Sequence, residues 1–164
     1  MPSLGLLLIA HNTLAILFIL YLGSLLLTTS QPRRLLSMVL AVGGASFFWL
    51  PALLEKHYVQ FDAVTVSKYG EYFLRGDQLF LIGPVFAAAF IIILLRGKIS
   101  GSTLLHLGFF ALSVLLTLPM SDRLWSSVPI GHLVQFPYRF LAVSMTAGAF
   151  LVASVASRKH PIAR

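Results

Sequence analysis

The chain contains no cysteine. Disulfides, thiolate nucleophiles and cysteine-ligated metals are therefore excluded, and cysteine usage gives no clue to redox compartment. Charge is almost as scarce. Charged residues make up 10% of the 164, only five are acidic, and the balance is +7. The basic residues sit in small groups at the ends of apolar runs, with no basic cluster interleaved with aromatics. That distribution argues against nucleic acid as a partner and for a membrane topology signal. The opening Met-Pro-Ser-Leu lacks the positive n-region of a secretory signal, and the apolar run behind it is interrupted by His11 and Asn12. It reads as the start of a retained helix.

Apolar sequence is what the chain has in quantity. Its hydrophobic fraction is 58%, above the roughly 45–50% usual for soluble domains. A helix of about 20 apolar residues spans a bilayer core, where every backbone group must be satisfied internally. The pattern predicts an all-α fold, a polytopic transmembrane helical bundle with five spans at 4–27, 35–54, 79–95, 103–118 and 137–156. The whole chain, 1–164, reads as a single integral-membrane domain with longer polar segments at 55–78 and 119–135. Arg33, Arg34, Arg96, Lys98, Arg158, Lys159 and Arg164 fall on one side of this topology. Lys56, Lys68, Arg75, Arg123 and Arg139 fall on the other, with all five acids, Glu55, Asp62, Glu71, Asp77 and Asp122. The tight basic turns place the first side in the cytoplasm. The C-terminus is then cytoplasmic, and the N-terminus and both long loops are external. An external start without flanking charge is expected of the middle or C-terminal part of a larger protein, completed by upstream helices or a partner subunit.

Few residues could carry chemistry. His11 and Asn12 come a few residues into the first span, on the order of 10 Å deep at 1.5 Å per residue. Polar groups at such depth face a bundle interior or a water-filled cavity and can hydrogen-bond a ligand head group. The alternative is interhelical glue. His106, in the fourth span, reads as packing or interfacial. Small residues four apart, Ser37, Ala41 and Ala45, and again Ala149, Ala153 and Ser157, would let another helix approach closely. Phe47, Phe48 and Trp49 fit an interfacial aromatic belt, and Pro51 a break near a helix end. Glu55, followed by His57 and Asp62, could bind a metal or act as general acid/base. The spacing matches no dedicated metal motif, however, so no metal is expected, and a solvated loop is the plain alternative.

The run Gln135-Phe136-Pro137-Tyr138-Arg139-Phe140 opens the last span. Proline suits a first helical turn. Arg139 stands there against both the positive-inside tendency and the helix dipole, which favours anions at that end. A cation and free helix N–H groups converging on one place make a phosphate or carboxylate receptor. Otherwise Arg139 snorkels outward or pairs with Asp122.

The His-Asn pair, the Phe-Trp-Leu-Pro-Ala-Leu-Leu-Glu run and the Gln-Phe-Pro-Tyr-Arg-Phe run, in this order, cover the chain in outline. Together they resemble a bacterial membrane family labelled "6-pyruvoyl-tetrahydropterin synthase-related". That family has no evident pterin chemistry and is similar to multi-spanning glycosyltransferases using polyprenyl-phosphate-linked sugars. The resemblance points to His11, Asn12, Trp49, Pro51, Glu55, Gln135, Pro137 and Arg139. It implies the membrane-embedded part of a glycosyltransferase-like protein in cell-envelope glycan assembly, located in the bacterial cytoplasmic membrane. A polyprenyl-phosphate sugar would be bound by Arg139, His11, Asn12, Glu55 and Gln135, with no cofactor. Enzymes of that superfamily place their catalytic acids in a first external loop, upstream of anything matched here. This chain has no Asp-x-Asp pair, so no catalytic residue is assigned.

The alternative reading is a non-enzymatic membrane scaffold or assembly subunit. A transporter would show paired broken helices or ionisable groups near mid-membrane, and the spans are nearly charge-free. A soluble pterin enzyme would need clustered histidines, whereas His11, His57, His106, His132 and His160 are scattered.

Overall fold

The computed structural model describes residues 2–55, 58, 69–97, 99–127 and 134–157, apart from the side chains of Pro2 and Asn12. The only regular secondary structure among the described residues is helical, with no strand. Their α-helices are α1 (Pro2–Ala10), α2 (Asn12–Thr28), α3 (Pro32–Gly44), α4 (Ser46–Leu54), α5 (Pro84–Leu95), α6 (Gly101–Thr117), α7 (Asp122–Ser127) and α8 (Leu141–Ser157). Short 3-10 turns precede α5 (Gly76–Ile82) and α8 (Pro137–Phe140). The chain forms two compact units, the first from 1–71 with 123–136 and the second from 72–122 with 137–164.

The expected first span, 4–27, is not one helix. It breaks at His11, whose backbone (φ −158°, ψ 87°) is extended, and α1 folds back along α2. Leu4 is buried in one cluster with Leu26 and Met38, onto which Phe18, Ile19 and Leu22 pack. A straight helix would hold Leu4 and Leu22 about 27 Å apart. Both helices instead meet α3. A Cβ on Gly5 would lie 3.4 Å from the Ala41 carbonyl oxygen, and one on Gly23 would lie 3.4 Å from the Met38 Cε. Leu8, Ala15 and Ala45 form the next buried layer, against which Trp49 packs. Hydropathy sees only side chains, and a hairpin and a straight helix share the same apolar ones.

The expected second span, 35–54, is α3 and α4 with a bend of 59° between them. The break falls at Ala45, after Gly43-Gly44, and not at Pro51, which lies inside α4. Trp49 secures the bend. Its indole N–H donates to the Val42 carbonyl at 3.0 Å, at the end of α3. Here the ring serves the backbone. No residue of α4 is buried.

In the second unit the expected third span, 79–95, is the turn Gly76–Ile82 and α5, bent by 70°. Gly83 stands at the break with φ 85°, a conformation that glycine adopts without a Cβ penalty. The fourth and fifth spans lie close to the expected 103–118 and 137–156. Their core is α8 against α5 and α6. Val143, Ser144, Ala147, Gly148 and Leu151 are the buried face of α8. The small residues Ala149, Ala153 and Ser157 are exposed and take no part in this packing. A close approach is made at Gly148, where a Cβ would come within 2.6 Å of the Phe86 ring. Phe90 meets Phe110 at 5.4 Å between centroids, and His106 stacks on Phe150 at 4.7 Å.

Among the described residues one helix, Pro137–Ser157, is long and apolar enough by itself to cross a membrane. Taking each bent pair as one broken span gives up to four. Five straight spans are therefore not what the structure shows.

Two pairs of substitutions test this packing. Gly148→Ala should destabilise by about 1–3 kcal/mol through overpacking on Phe86. Gly108→Ala, with nothing within 4 Å of its Cβ position, should be neutral or gain up to about 1 kcal/mol of helix propensity. Thermal unfolding of the purified protein in detergent reads both signs. Trp49→Phe removes the donor to Val42 and should cost about 1 kcal/mol. Phe48→Leu, altering an exposed ring on the same helix, should leave the midpoint within a degree or two on the usual scale for surface changes of about 0.5 kcal/mol.

Candidate functional site

The residues singled out in the sequence divide between the two units. His11, Asn12, Glu55 and Gln135 belong to the first, and Arg139 to the second.

His11 is the N-cap of α2. Its Nδ1 accepts from the Leu14 N–H at 3.5 Å, a long contact in an apolar stretch that offers no Ser, Thr or Asp at this position. The backbone around it is satisfied locally. The His11 N–H donates to the Leu7 carbonyl at 2.7 Å, and the Ala15 N–H donates to the His11 carbonyl at 3.0 Å. His11 is half-buried. The buried layer of Leu8, Ala15 and Ala45 lies one turn below it, and Trp49 packs on that layer. Two of the three sequence motifs, 38 positions apart, thus meet at one end of the first unit. The Asn12 side chain lies outside the described residues.

Glu55 closes α4 and is exposed, with its N–H bonded to the Pro51 carbonyl at 2.8 Å. Its sequence neighbours His57 and Asp62 lie outside the described residues. Among the described residues no group of three or more His, Asp or Glu could hold a metal ion.

Gln135 has φ 65°, unusual for a residue other than glycine. The Phe136 N–H reaches back to the Val134 carbonyl at 2.8 Å, which makes Gln135 the centre of a γ-turn of the rare, strained hand. Val134 and Pro137, on either side, are buried. Arg139 is half-buried in the 3-10 turn Pro137–Phe140 that leads into α8. Sequence reading missed a ring contact made by its neighbour. Tyr138 and Tyr72 approach at 6.4 Å between ring centroids, and both are partly exposed. Tyr72 lies 66 positions upstream of Tyr138 in a polar segment, and no spacing rule in the sequence links the two.

His106 is buried in α6 with its ring parallel to that of Phe150. It is a packing residue between two apolar helices.

No family model matches this chain, and neither does any curated protein or solved structure.

Proposed function

We propose that the chain is the membrane-embedded part of a glycosyltransferase-like protein that holds a polyprenyl-phosphate sugar at the outer face of the bacterial cytoplasmic membrane. The observation that carries this reading is Arg139. It is the sole charged residue of the apolar helix Pro137–Ser157 and lies half-buried in its first turn. A guanidinium opposes the dipole at that end of a helix, and a bound phosphate would reverse the sign of that interaction. The rare turn at Gln135 fixes the direction from which the chain enters this helix. The resemblance carried by the three motifs supplies the lipid-linked sugar.

The chain is then multi-pass, with its C-terminus cytoplasmic and the segments 55–78 and 119–135 external. Arg139 takes the phosphate. No residue is assigned the acid or base of the transfer step. Broken helices also occur in transporters; here the breaks at Ala45 and Gly83 carry no ionisable group, and the one at His11 uses its imidazole as a helix cap. The scaffold reading draws on α4, where no residue is buried and Phe47, Phe48, Leu50, Leu53 and Leu54 are exposed.

The test is the affinity of the detergent-solubilised protein for a polyprenyl monophosphate, with the neutral polyprenol as control. A charge-assisted hydrogen bond is worth about 1.5–3 kcal/mol. Arg139→Ala should therefore weaken phosphate binding about tenfold or more and leave the polyprenol unaffected, while Arg139→Lys restores part of the loss. Equal affinity of Arg139→Ala and the native protein for the phosphate would overturn the phosphate role and bring the scaffold reading forward.

A further inference from the structure

The fold-back at His11 has a consequence for how the first apolar stretch meets a bilayer. The inference rests on the membrane reading above, but not on the lipid-phosphate site. Helix α1 runs antiparallel to α2, and α3 runs antiparallel to α2 as well. The beginning of α1 and the turn 28–32 therefore point toward one end of the first unit, and His11 points toward the other. The first end is the polar one. Thr28 and Thr29 return their hydroxyls to the Leu25 carbonyl, and Arg33 and Arg34 are exposed directly behind them. Between the ends, the hairpin turns Leu6, Ile9, Leu20 and Leu27 outward, with Leu6 67% exposed. Side chains of that kind are suited to lipid.

Hydrocarbon tolerates non-helical backbone only where its polar groups find partners inside the protein. The tip meets this condition, through Leu7 accepting from the His11 N–H and His11 accepting from Ala15 and Leu14. Length also matters. The 17 residues of α2 rise about 25 Å, a little short of a hydrocarbon core of about 30 Å. The nine residues of α1 rise about 14 Å, too little to cross.

We propose that α1 and α2 form a re-entrant hairpin that enters and leaves the bilayer on the face carrying Arg33 and Arg34, with His11 at its tip. The first apolar stretch does not cross. The segments that follow keep their orientation, the number of crossings becomes four, and the chain ahead of α1 approaches from the cytoplasmic side. His11 still reaches to just beneath the outer headgroups, but from the opposite face to that expected of a straight span.

The absence of native cysteine makes the test direct. One version of the full chain carries a cysteine in a short hydrophilic tag ahead of Met1, and a second carries Thr29→Cys. Each is labelled with a membrane-impermeant maleimide in right-side-out and inside-out vesicles. The expected result is that both sites label in inside-out vesicles and that both signals are lost together when the orientation is reversed. A third version, with Leu4→Cys and Leu22→Cys, should close an intramolecular disulfide under mild oxidation in the membrane, read by mass spectrometry. A straight span forbids that bond. Labelling of the tag and Thr29→Cys from opposite faces would overturn the hairpin while leaving the membrane reading intact. Release of the native chain by alkaline carbonate would overturn the membrane reading and the hairpin with it. The tag and Thr29→Cys leave the buried layers untouched, so the sidedness result does not depend on whether the double variant folds.

Discussion

Every departure of this chain from straight helix has to find partners for the backbone groups it frees, and the surroundings are apolar. At 4–6 kcal/mol for an amide hydrogen bond in an apolar medium, this constraint outweighs the propensity of any one residue. The fold meets it by local means. His11 accepts at the start of α2, and Trp49 donates to Val42 across the bend after α3. The Gly83 N–H returns to the Phe80 carbonyl at 3.0 Å. Within helices the hydroxyls of Ser24, Ser37, Ser144, Thr146 and Ser154 satisfy their own donors on carbonyls three or four residues back. Among the described residues no buried side-chain nitrogen or oxygen lacks a partner. A polar residue in an apolar run of this protein is therefore first an answer to a backbone problem, and only then a candidate for ligand chemistry.

This orders what was legible in the sequence. Apolar runs bounded by basic turns identified where helices lie, since mean hydropathy over about 20 residues is a composition property that survives any bending. The ends of α6 and of the last helix follow it closely. The breaks do not follow it. His11-Asn12 was read as a polar pair buried in a straight helix, when it is the turn between two. Pro51 was the visible breaker, yet the bend lies at Ala45, where Gly43 and Gly44 lower helix propensity without any obstructing ring. The stripe Ala149, Ala153 and Ser157 lies outside the face that packs within this chain, because the choice between faces belongs to the partner. Phe86 selects Gly148, and no single-sequence periodicity records which helix carries Phe86.

The candidate site was legible as residue types and not as a place. Arg139 at the start of an apolar helix is anomalous by charge and dipole alone, so it could be found without coordinates. Tyr72 could not, because its relation to Tyr138 exists only after the 3-10 turn Gly76–Ile82, α5 and α6 have folded between them. The meeting of Trp49 with the layer beneath His11 is likewise a product of the hairpin. A straight first helix would carry Leu4 and Leu8 away from α3 and leave Ala45 without its cover.

Strain separates the Gln135–Arg139 segment from an ordinary loop. A left-handed residue other than glycine costs of order 1–3 kcal/mol and persists only where its neighbours over-determine it. Val134 and Pro137, on either side of the γ-turn, are both fully buried. Proline at the first position also removes one backbone rotation and fixes φ near −65°. Pro137 thus stiffens the backbone that presents Arg139. For a side chain that binds an anion, stiffness beneath the guanidinium reduces the ordering cost paid on binding. The same stiffness would be wasted on an arginine that merely snorkels, since a snorkelling side chain works by its own flexibility. A proline-stiffened turn is therefore what the proposed anion receptor at Arg139 would use, and what a snorkelling arginine would not need.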